Sequence, residues 1–203
     1  MKITIVDYGM GNIKSIVGAL QYLEVEEVIV SNSPSDLASA DKLILPGVGS
    51  FSMAMNNIKR LDIDKHLREA VILDSKPILG ICLGMQLMGE SSTECVFSNG
   101  LGFIDSTVCE FKSSNFKVPH IGFNQVDIVK NSKLFKGLDN FSDFYFVHSY
   151  RMISENNINQ SMCHYGNDFI ASYEKDNIAG VQFHPELSQT NGLKLLDNFI
   201  KYF

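Results

Sequence analysis

The segment Gly80-Ile81-Cys82-Leu83-Gly84 holds a cysteine between two glycines. An apolar run precedes Cys82 and a helical pattern follows it, so the cysteine lies at a predicted strand-to-helix junction. A sharp turn there lifts the side chain clear of the sheet, and the N-terminus of the following helix stabilises a thiolate. The pattern predicts a nucleophile, although by itself it is equally typical of a buried structural cysteine.

A histidine and a glutamate follow another apolar run, as His184-Pro185-Glu186 after residues 179–183. A cysteine nucleophile needs a base that takes its proton and later returns it to the leaving group, and the base needs a third group that fixes its tautomer. His184 fits the first role and Glu186 the second. A lone histidine more often satisfies local hydrogen bonds only, but the neighbouring glutamate and the Cys82 turn favour the catalytic interpretation.

The segment Pro46-Gly47-Val48-Gly49 follows a third apolar run. Acyl transfer requires hydrogen-bond donors for the oxyanion of the tetrahedral intermediate, each worth about 3 kcal/mol. The glycines can turn a backbone N–H into a crevice, and the amide of Leu83 would be the second donor. The alternative is an ordinary strand-to-helix turn. A second glycine pair, in residues 9–12, lacks the remaining features of a dinucleotide-binding loop.

The hydrophobic pattern predicts how these residues are positioned. Short apolar runs alternate with helical periodicity in the first half, and period-two alternation dominates after Thr107. The predicted strands are 2–7, 27–30, 43–45, 77–82, 108–111, 118–129, 143–150, 169–174 and 179–183, and the predicted helices are 13–23, 51–59, 64–73, 83–89 and 192–202. We expect an α/β fold in one domain, 1–203: a three-layer sandwich with a mostly parallel sheet, an antiparallel part, and the ligand site at the carboxyl ends of the strands.

Composition excludes several classes of partner. The chain has 203 residues, 45% of them hydrophobic, and a net charge of -6 without a basic run, which argues against nucleic acid and anionic membranes as partners. No apolar stretch is long enough to span a membrane, and the N-terminus is typical of a strand and not of a signal peptide. The four cysteines show no disulfide or CxxC spacing, so we expect a cytoplasmic protein.

The remaining cysteines and the histidines offer no metal-ligand spacing, so we predict no metal and no cofactor. Cys95, Cys109 and Cys163 lack the context of Cys82 and are interpreted as packing residues. His120 and His148 lie in predicted strands, which favours structural hydrogen bonding.

Five segments together resemble one enzyme family. They are PGVGSF at 46–51, GICLGMQL at 80–87, VPHIGFNQV at 118–126, FVHSY at 146–150 and GVQFHPELSQ at 180–189. In this order they resemble the triad (class I) glutamine amidotransferases, whose fold is flavodoxin-like, over almost the whole chain. Within that family the chain is most similar to the glutaminase subunits of imidazole glycerol phosphate synthases.

The resemblance implies hydrolysis of glutamine to glutamate and ammonia through a thioester on Cys82. His184 would act as general base and acid, Glu186 would orient it, and the amide of Val48 or Gly49 would complete the oxyanion hole with Leu83. The residues that would contact the substrate glutamine are Gly49, Gln86, Ser149 and Tyr150.

A partner is also implied, because ammonia released into water is protonated and loses its nucleophilicity. In the family resembled, a separate (β/α)₈-barrel synthase docks over the crevice as a heterodimer, receives the ammonia and makes imidazole glycerol phosphate and AICAR in histidine biosynthesis. The positions that match its interface are Gly11, Asn12, Phe123, Asn124, Gln125, Tyr145 and Leu187. Phe123 stands where tryptophan is common, and Leu187 stands where lysine is usual.

Three alternatives stay open at this point. The first is a paralogous glutaminase that supplies ammonia to a sugar-aminating synthase of surface-polysaccharide (lipopolysaccharide) biosynthesis. The second is a stand-alone cysteine hydrolase. The third is a noncatalytic flavodoxin-like module.

Overall fold

A computed structural model describes residues 1–111 and 116–203. The first half alternates strands and helices. In chain order these are β1 (Lys2–Val6), α1 (Ile13–Tyr22), β2 (Glu27–Ser31), α2 (Pro34–Ser39), β3 (Lys42–Leu45), α3 (Phe51–Arg60), α4 (Ile63–Arg68), β4 (Ile78–Ile81) and α5 (Leu83–Leu87). A π-helical turn, Glu69–Leu73, continues α4.

The second half is mainly strands. They are β5 (Ser91–Ser92), β6 (Ser98–Asn99), β7 (Thr107–Glu110), β8 (His120–Asp127), β9 (Ser142–His148), β10 (Tyr150–Ile153), β11 (Ser161–Tyr165), β12 (Asn167–Lys175) and β13 (Ile178–Val181). A 3₁₀ turn, Pro185–Leu187, leads into the final helix α6 (Gln189–Tyr202).

The main sheet has nine strands in the order β2-β1-β3-β4-β13-β12-β11-β8-β9. The first five strands are parallel, and each pairing from β13 to β9 is antiparallel. A second sheet has the order β10-β7-β5-β6. The parallel part therefore places the carboxyl ends of β3, β4 and β13 at the same edge.

Helices cover both faces of the parallel strands. One apolar cluster packs residues of α1 and α6, such as Leu20 and Phe199, and another packs residues of α2, α3 and α4, such as Leu37 and Phe51. All residues of β3, β4 and β13 are buried, as expected of strands covered on both sides. The predicted three-layer α/β sandwich is confirmed, with a more extensive antiparallel part than the sequence suggested.

The predicted strand 143–150 is wrong as a single element. The chain breaks at Ser149, after which β10 leaves the main sheet and pairs with β7 in the second sheet. Nδ1 of His148 lies 2.8 Å from the carbonyl oxygen of Tyr150, a side-chain contact that fixes the break. An alternating pattern continues across it, so periodicity cannot locate it.

Other predictions needed smaller corrections. Helix α2 is not among the predicted helices, although Ser33 caps it by accepting a hydrogen bond from the Asp36 amide and Pro34 is its first residue. Strand β11 is likewise not among the predicted strands. Cys163 is buried as expected, but Cys95 is exposed, so its interpretation as a packing residue is wrong. In the part of the chain that the structure describes, every helix is too short or too polar to cross a membrane.

Candidate active site

Cys82 and His184 come together because their strands are neighbours. β4 and β13 pair in parallel with Ile81 opposite Val181, and the Cys82 amide continues this ladder to the Val181 carbonyl at 2.8 Å. His184 follows β13 by three positions. The structure therefore brings the two candidate side chains into the same cavity at the carboxyl edge of the sheet.

The turn at Cys82 is strained, with φ 53° and ψ -111°. The flanking glycines allow close packing around it. A Cβ at Gly84 would lie 1.8 Å from the carbonyl oxygen of Leu45, and one at Gly80 would lie 2.5 Å from Cε of Met88. Strain of this kind persists only where the surrounding structure enforces it, and it is typical of functional turns.

The imidazole of His184 is buried and held by a carboxylate. Its Nδ1 lies 2.8 Å from Oε1 of Glu186 and donates to it, which leaves Nε2 for the sulfur of Cys82. Burial lowers the pKa of His184, but the interactions of the ring with the nearby Cys82 and with the Glu186 carboxylate outweigh burial and raise it to about 10. The arrangement favours an imidazolium beside the sulfur of Cys82.

Oε1 of Glu186 accepts a second hydrogen bond, at 3.1 Å, from the side-chain amide of Asn12. The Glu186 side chain is fully buried. Asn12 is the N-cap residue of α1, so the first loop of the chain helps to fix the carboxylate that orients His184.

The cavity beside Cys82 has a volume of about 220 Å³. This is below the roughly 300–1,000 Å³ typical of sites for drug-sized ligands and suits an amino acid. Besides Cys82 and His184, the predicted site residues that line it are Val48, Gly49, Leu83, Gln86, Ser149 and Tyr150. The structure thus brings the predicted nucleophile, base, oxyanion and substrate-contacting residues to one place.

The family model of glutamine amidotransferase class-I matches residues 4–202. The chain belongs to the class-I glutamine amidotransferase family. The predicted family and the predicted glutamine amidotransferase activity are confirmed.

Curated relatives match at nearly full length. Imidazole glycerol phosphate synthase subunit HisH 1 from Campylobacter jejuni strain RM1221 is 48% identical over 98% of this chain and 99% of the relative. Methanococcus maripaludis strain S2 has two such relatives, subunits HisH 2 and HisH 1, at 47% and 44% identity over 98% of each chain. Each relative is named as a subunit, which implies a partner synthase subunit for these proteins.

Solved structures agree on the fold. A chain in the structure of PurLQS from Thermotoga maritima superimposes with a TM-score of 0.71 and 19% identity, over 99% of this chain and 98% of that chain. A glutamine amidotransferase structure gives a TM-score of 0.71 at 17% identity, over 97% of this chain and 96% of that chain. At these identities the likeness concerns the fold alone.

Two residues of the site, Glu94 and Gln182, are not among the predicted site residues. Glu94 lines the cavity, and its Oε2 accepts a hydrogen bond of 2.9 Å from the Phe51 amide. It precedes β6 in a segment without periodicity, so no sequence signal marked it. Gln182 is fully buried, and its Nε2 donates to the sulfur of Cys82 at 3.7 Å. Its position in the sequence, between β13 and His184, is the signal that could have identified it as a residue of the site.

The side-chain amide nitrogen of Gln86 is already used in hydrogen bonds within the chain. Its Nε2 donates to the carbonyl oxygen of Tyr150 at 3.1 Å and to Oε1 of Gln182 at 2.8 Å. An amide nitrogen carries two hydrogens, and both are used. A substrate contact of Gln86 therefore falls to its oxygen, an acceptor.

The predicted interface positions divide into two groups. Phe123 and Leu187 expose 49% and 42% of their surface, and the Phe123 ring packs against Tyr145 on the neighbouring strand. Gln125 is exposed on the same face of β8 as Phe123, because alternate residues of a strand share a face. These four can meet a partner directly.

The other interface positions are engaged within the chain. Asn124 points to the opposite face of β8 and donates to the His164 carbonyl at 3.1 Å. Asn12 is bound to Glu186, as described above. At Gly11 a Cβ would lie 2.9 Å from Cβ of Pro46, so the absence of a side chain permits two loops of the crevice to pack.

A buried histidine pair lies beside the cavity. Nδ1 of His120 and Nε2 of His148 are 3.0 Å apart, and His148 also contacts the Tyr150 carbonyl. Burial lowers the pKa of His120 to about 4. Burial is likewise the main cause that lowers the pKa of His148 to about 3, assisted by the charges of His120 and His184. Both rings are neutral at pH 7, and the predicted structural hydrogen bonding of this pair is confirmed.

Proposed function

We propose that this chain is the glutaminase subunit of an imidazole glycerol phosphate synthase. It hydrolyses L-glutamine to glutamate and ammonia and passes the ammonia to a synthase subunit. The observation that carries the proposal is the meeting of Cys82, His184 and Glu186 at one sheet edge, in a chain 44–48% identical to relatives that are named as HisH subunits.

The geometry supports a two-step mechanism. The Cys82 thiolate attacks the side-chain amide carbon of glutamine, and the tetrahedral oxyanion accepts hydrogen bonds from the Leu83 amide and from the amide of Val48 or Gly49. The His184 imidazolium gives its proton to the leaving nitrogen, so ammonia departs and a γ-glutamyl thioester remains. Neutral His184 then takes a proton from water, the water attacks the thioester, and glutamate leaves as Cys82 regains its charge.

The polar groups of the cavity suit the backbone end of an amino acid. The Glu94 carboxylate attracts the α-ammonium group, and the Gln86 oxygen is a second acceptor for its hydrogens. Ser149 and Tyr150 line the same cavity and supply further contacts. We therefore assign the α-ammonium of glutamine to the side of the cavity formed by Glu94 and Gln86.

The rim of the crevice suits a protein partner. Exposed apolar side chains cluster on β8 and β9 and in the turn after His184, where Ile121, Phe123, Val147 and Leu187 expose between 38% and 60% of their surface. Apolar groups with polar surroundings mark protein-binding surfaces. We propose that a (β/α)₈-barrel synthase docks here as a heterodimer, over Gly11, Asn12, Phe123, Gln125, Tyr145 and Leu187, and receives ammonia before water protonates it.

A second candidate is a paralogous subunit whose synthase aminates a sugar of surface-polysaccharide biosynthesis. Phe123 and Leu187 depart from the usual interface residues, and Methanococcus maripaludis has two relatives of this chain, so such subunits occur in duplicate. The catalytic residues are the same in both candidates. They differ only in the ammonia acceptor.

The deciding experiment measures product formation with each kind of synthase. The chain is mixed with the barrel synthase of the histidine pathway or with a sugar-aminating synthase from its own organism, and glutamate and the aminated product are quantified with each acceptor. We expect glutamate release coupled to imidazole glycerol phosphate. Coupling to the aminated sugar alone would favour the second candidate, and rapid hydrolysis that ignores both synthases would indicate a stand-alone hydrolase.

A further inference from the structure

Gln182 connects the nucleophile to a network of buried amides. It is fully buried between β13 and His184. Its Nε2 donates to Sγ of Cys82 at 3.7 Å, and its Oε1 accepts from Nε2 of Gln86 at 2.8 Å. Gln86 is itself only 4% exposed. Hydrogen bonds in such a buried network are stronger than in water.

A backbone carbonyl fixes the direction of this network. Nε2 of Gln86 donates to the carbonyl oxygen of Tyr150, which can only accept. The Gln86 amide cannot flip without placing two oxygens against each other, so it presents N–H to Gln182. Gln182 must then turn its oxygen to Gln86 and its N–H₂ to Cys82. The acceptor at Tyr150 thus determines that the N–H₂ group of Gln182, and not its oxygen, faces the sulfur.

The sulfur needs this donor when it is charged. As a thiol, Cys82 lies 3.9 Å from the carbonyl oxygen of Val147 and can donate to it. As a thiolate it can no longer donate, and the same carbonyl dipole becomes repulsive. The helix that follows, α5, has only 5 residues, so its dipole is small. Side-chain donors must therefore supply much of the stabilisation.

We propose that Gln182 donates a hydrogen bond to the Cys82 thiolate, stabilising its charge and fixing its direction of attack. The inference rests on the proposed role of Cys82 as the nucleophile. A hydrogen bond to the charged form of a group favours that form. Gln86 does not contact the sulfur in this role. It is a positioning residue that keeps the N–H₂ group of Gln182 directed at Cys82.

The test is the pH dependence of Cys82 alkylation by iodoacetamide in the isolated chain. Rates are measured by peptide mapping from about pH 5 to about pH 9.5, on both sides of the ordinary thiol pKa of about 8.5. Gln182→Met retains the volume and removes the donor, so we expect the midpoint of the profile to rise by about one pH unit, with about tenfold slower alkylation at pH values well below the midpoint and the same alkaline plateau. Gln182→Glu places an acceptor against the sulfur and should raise the midpoint further.

The matched control is Asn198→Leu, which removes another buried amide. Asn198 donates to the carbonyls of Leu134 and Lys136, away from the cavity. This variant should lower the thermal unfolding midpoint and leave the alkylation profile unchanged. An unchanged profile in folded Gln182→Met, or in folded Gln182→Glu if the first variant does not fold, would overturn the proposal. Alkylation requires neither glutamine nor a synthase, so this result is independent of the test of the proposed function.

Discussion

The side-chain amide of Asn12 donates to Oε1 of Glu186, 174 positions later in the chain. The same oxygen accepts from Nδ1 of His184. Asn12 therefore holds the carboxylate that orients His184, the proposed base. If the partner synthase docks on Asn12, as proposed, a movement of Asn12 at the interface would act on Glu186 and His184 through a single side chain.

Asn12→Ala should lower the turnover of the glutaminase with little change in KM for glutamine. Glu186 would lose one of its two hydrogen bonds, and a hydrogen bond to a charged group is worth about 1.5–3 kcal/mol, so we expect kcat to fall about tenfold or more. The measurement is steady-state glutamate release at saturating synthase. Asn140→Ala, which removes an exposed amide–carboxylate contact with Asp127, is the matched control. A normal kcat in Asn12→Ala would remove the proposed positioning role.

Glu94→Gln should weaken glutamine binding and spare the chemical step. The glutamine side chain can still accept the hydrogen bond from the Phe51 amide, so the start of α3 is preserved, but the charge that attracts the α-ammonium group is lost. We expect KM to rise about tenfold or more, the cost of about 1.4 kcal/mol or more of binding, at nearly constant kcat. Glu90→Gln, an exposed substitution outside the cavity, is the control. An unchanged KM in Glu94→Gln would show that another group binds the ammonium.

The buried pair of His120 and His148 should make the fold sensitive to acid. Their folded-state pKa values, about 4 and about 3, lie below the ordinary value of 6.5. At pH values between the folded-state pKa and 6.5, the unfolded chain therefore binds more protons than the folded protein. Stability is therefore complete above about pH 6.5 and is lost as the pH falls towards 4, at up to about 1.4 kcal/mol per pH unit for each ring.

Urea unfolding at a series of pH values measures this slope. His120→Gln should make it shallower, because one of the two rings no longer titrates. His164→Gln, in which an exposed histidine is removed, should retain the slope of the unchanged protein. The same slope in His120→Gln as in the unchanged protein would mean that other groups cause the acid sensitivity.

The sequence predicted much of this arrangement because the strands that carry Cys82 and His184 are fully apolar. Burial on both faces removes alternation, and a glycine turn or HPE at the end of such a run marks a carboxyl edge. Periodicity could not show that β4 and β13 are neighbours. That depends on the order of strands, which is a property of the whole sheet.

The rest of the site depends on contacts that no local pattern records. Glu94 precedes a strand of two residues, too short for any periodicity. The contact between Asn12 and Glu186 joins opposite ends of the chain. The break at Ser149 occurs within continuous alternation, because β10 finds its partner in the second sheet. Such features follow from tertiary packing, which overrides local preference.

The most direct test of the nucleophile is labelling by a glutamine-mimicking chloroketone, followed by peptide mapping. The four cysteines are free and provide internal controls, since Cys95 is exposed whereas Cys82 is only 6% exposed. We expect the label on Cys82 alone, protection of Cys82 by L-glutamine, and a Cys82→Ala variant that remains folded and unlabelled. A label on Cys95 or spread over several cysteines, without protection by glutamine, would contradict the assignment of Cys82 as the nucleophile.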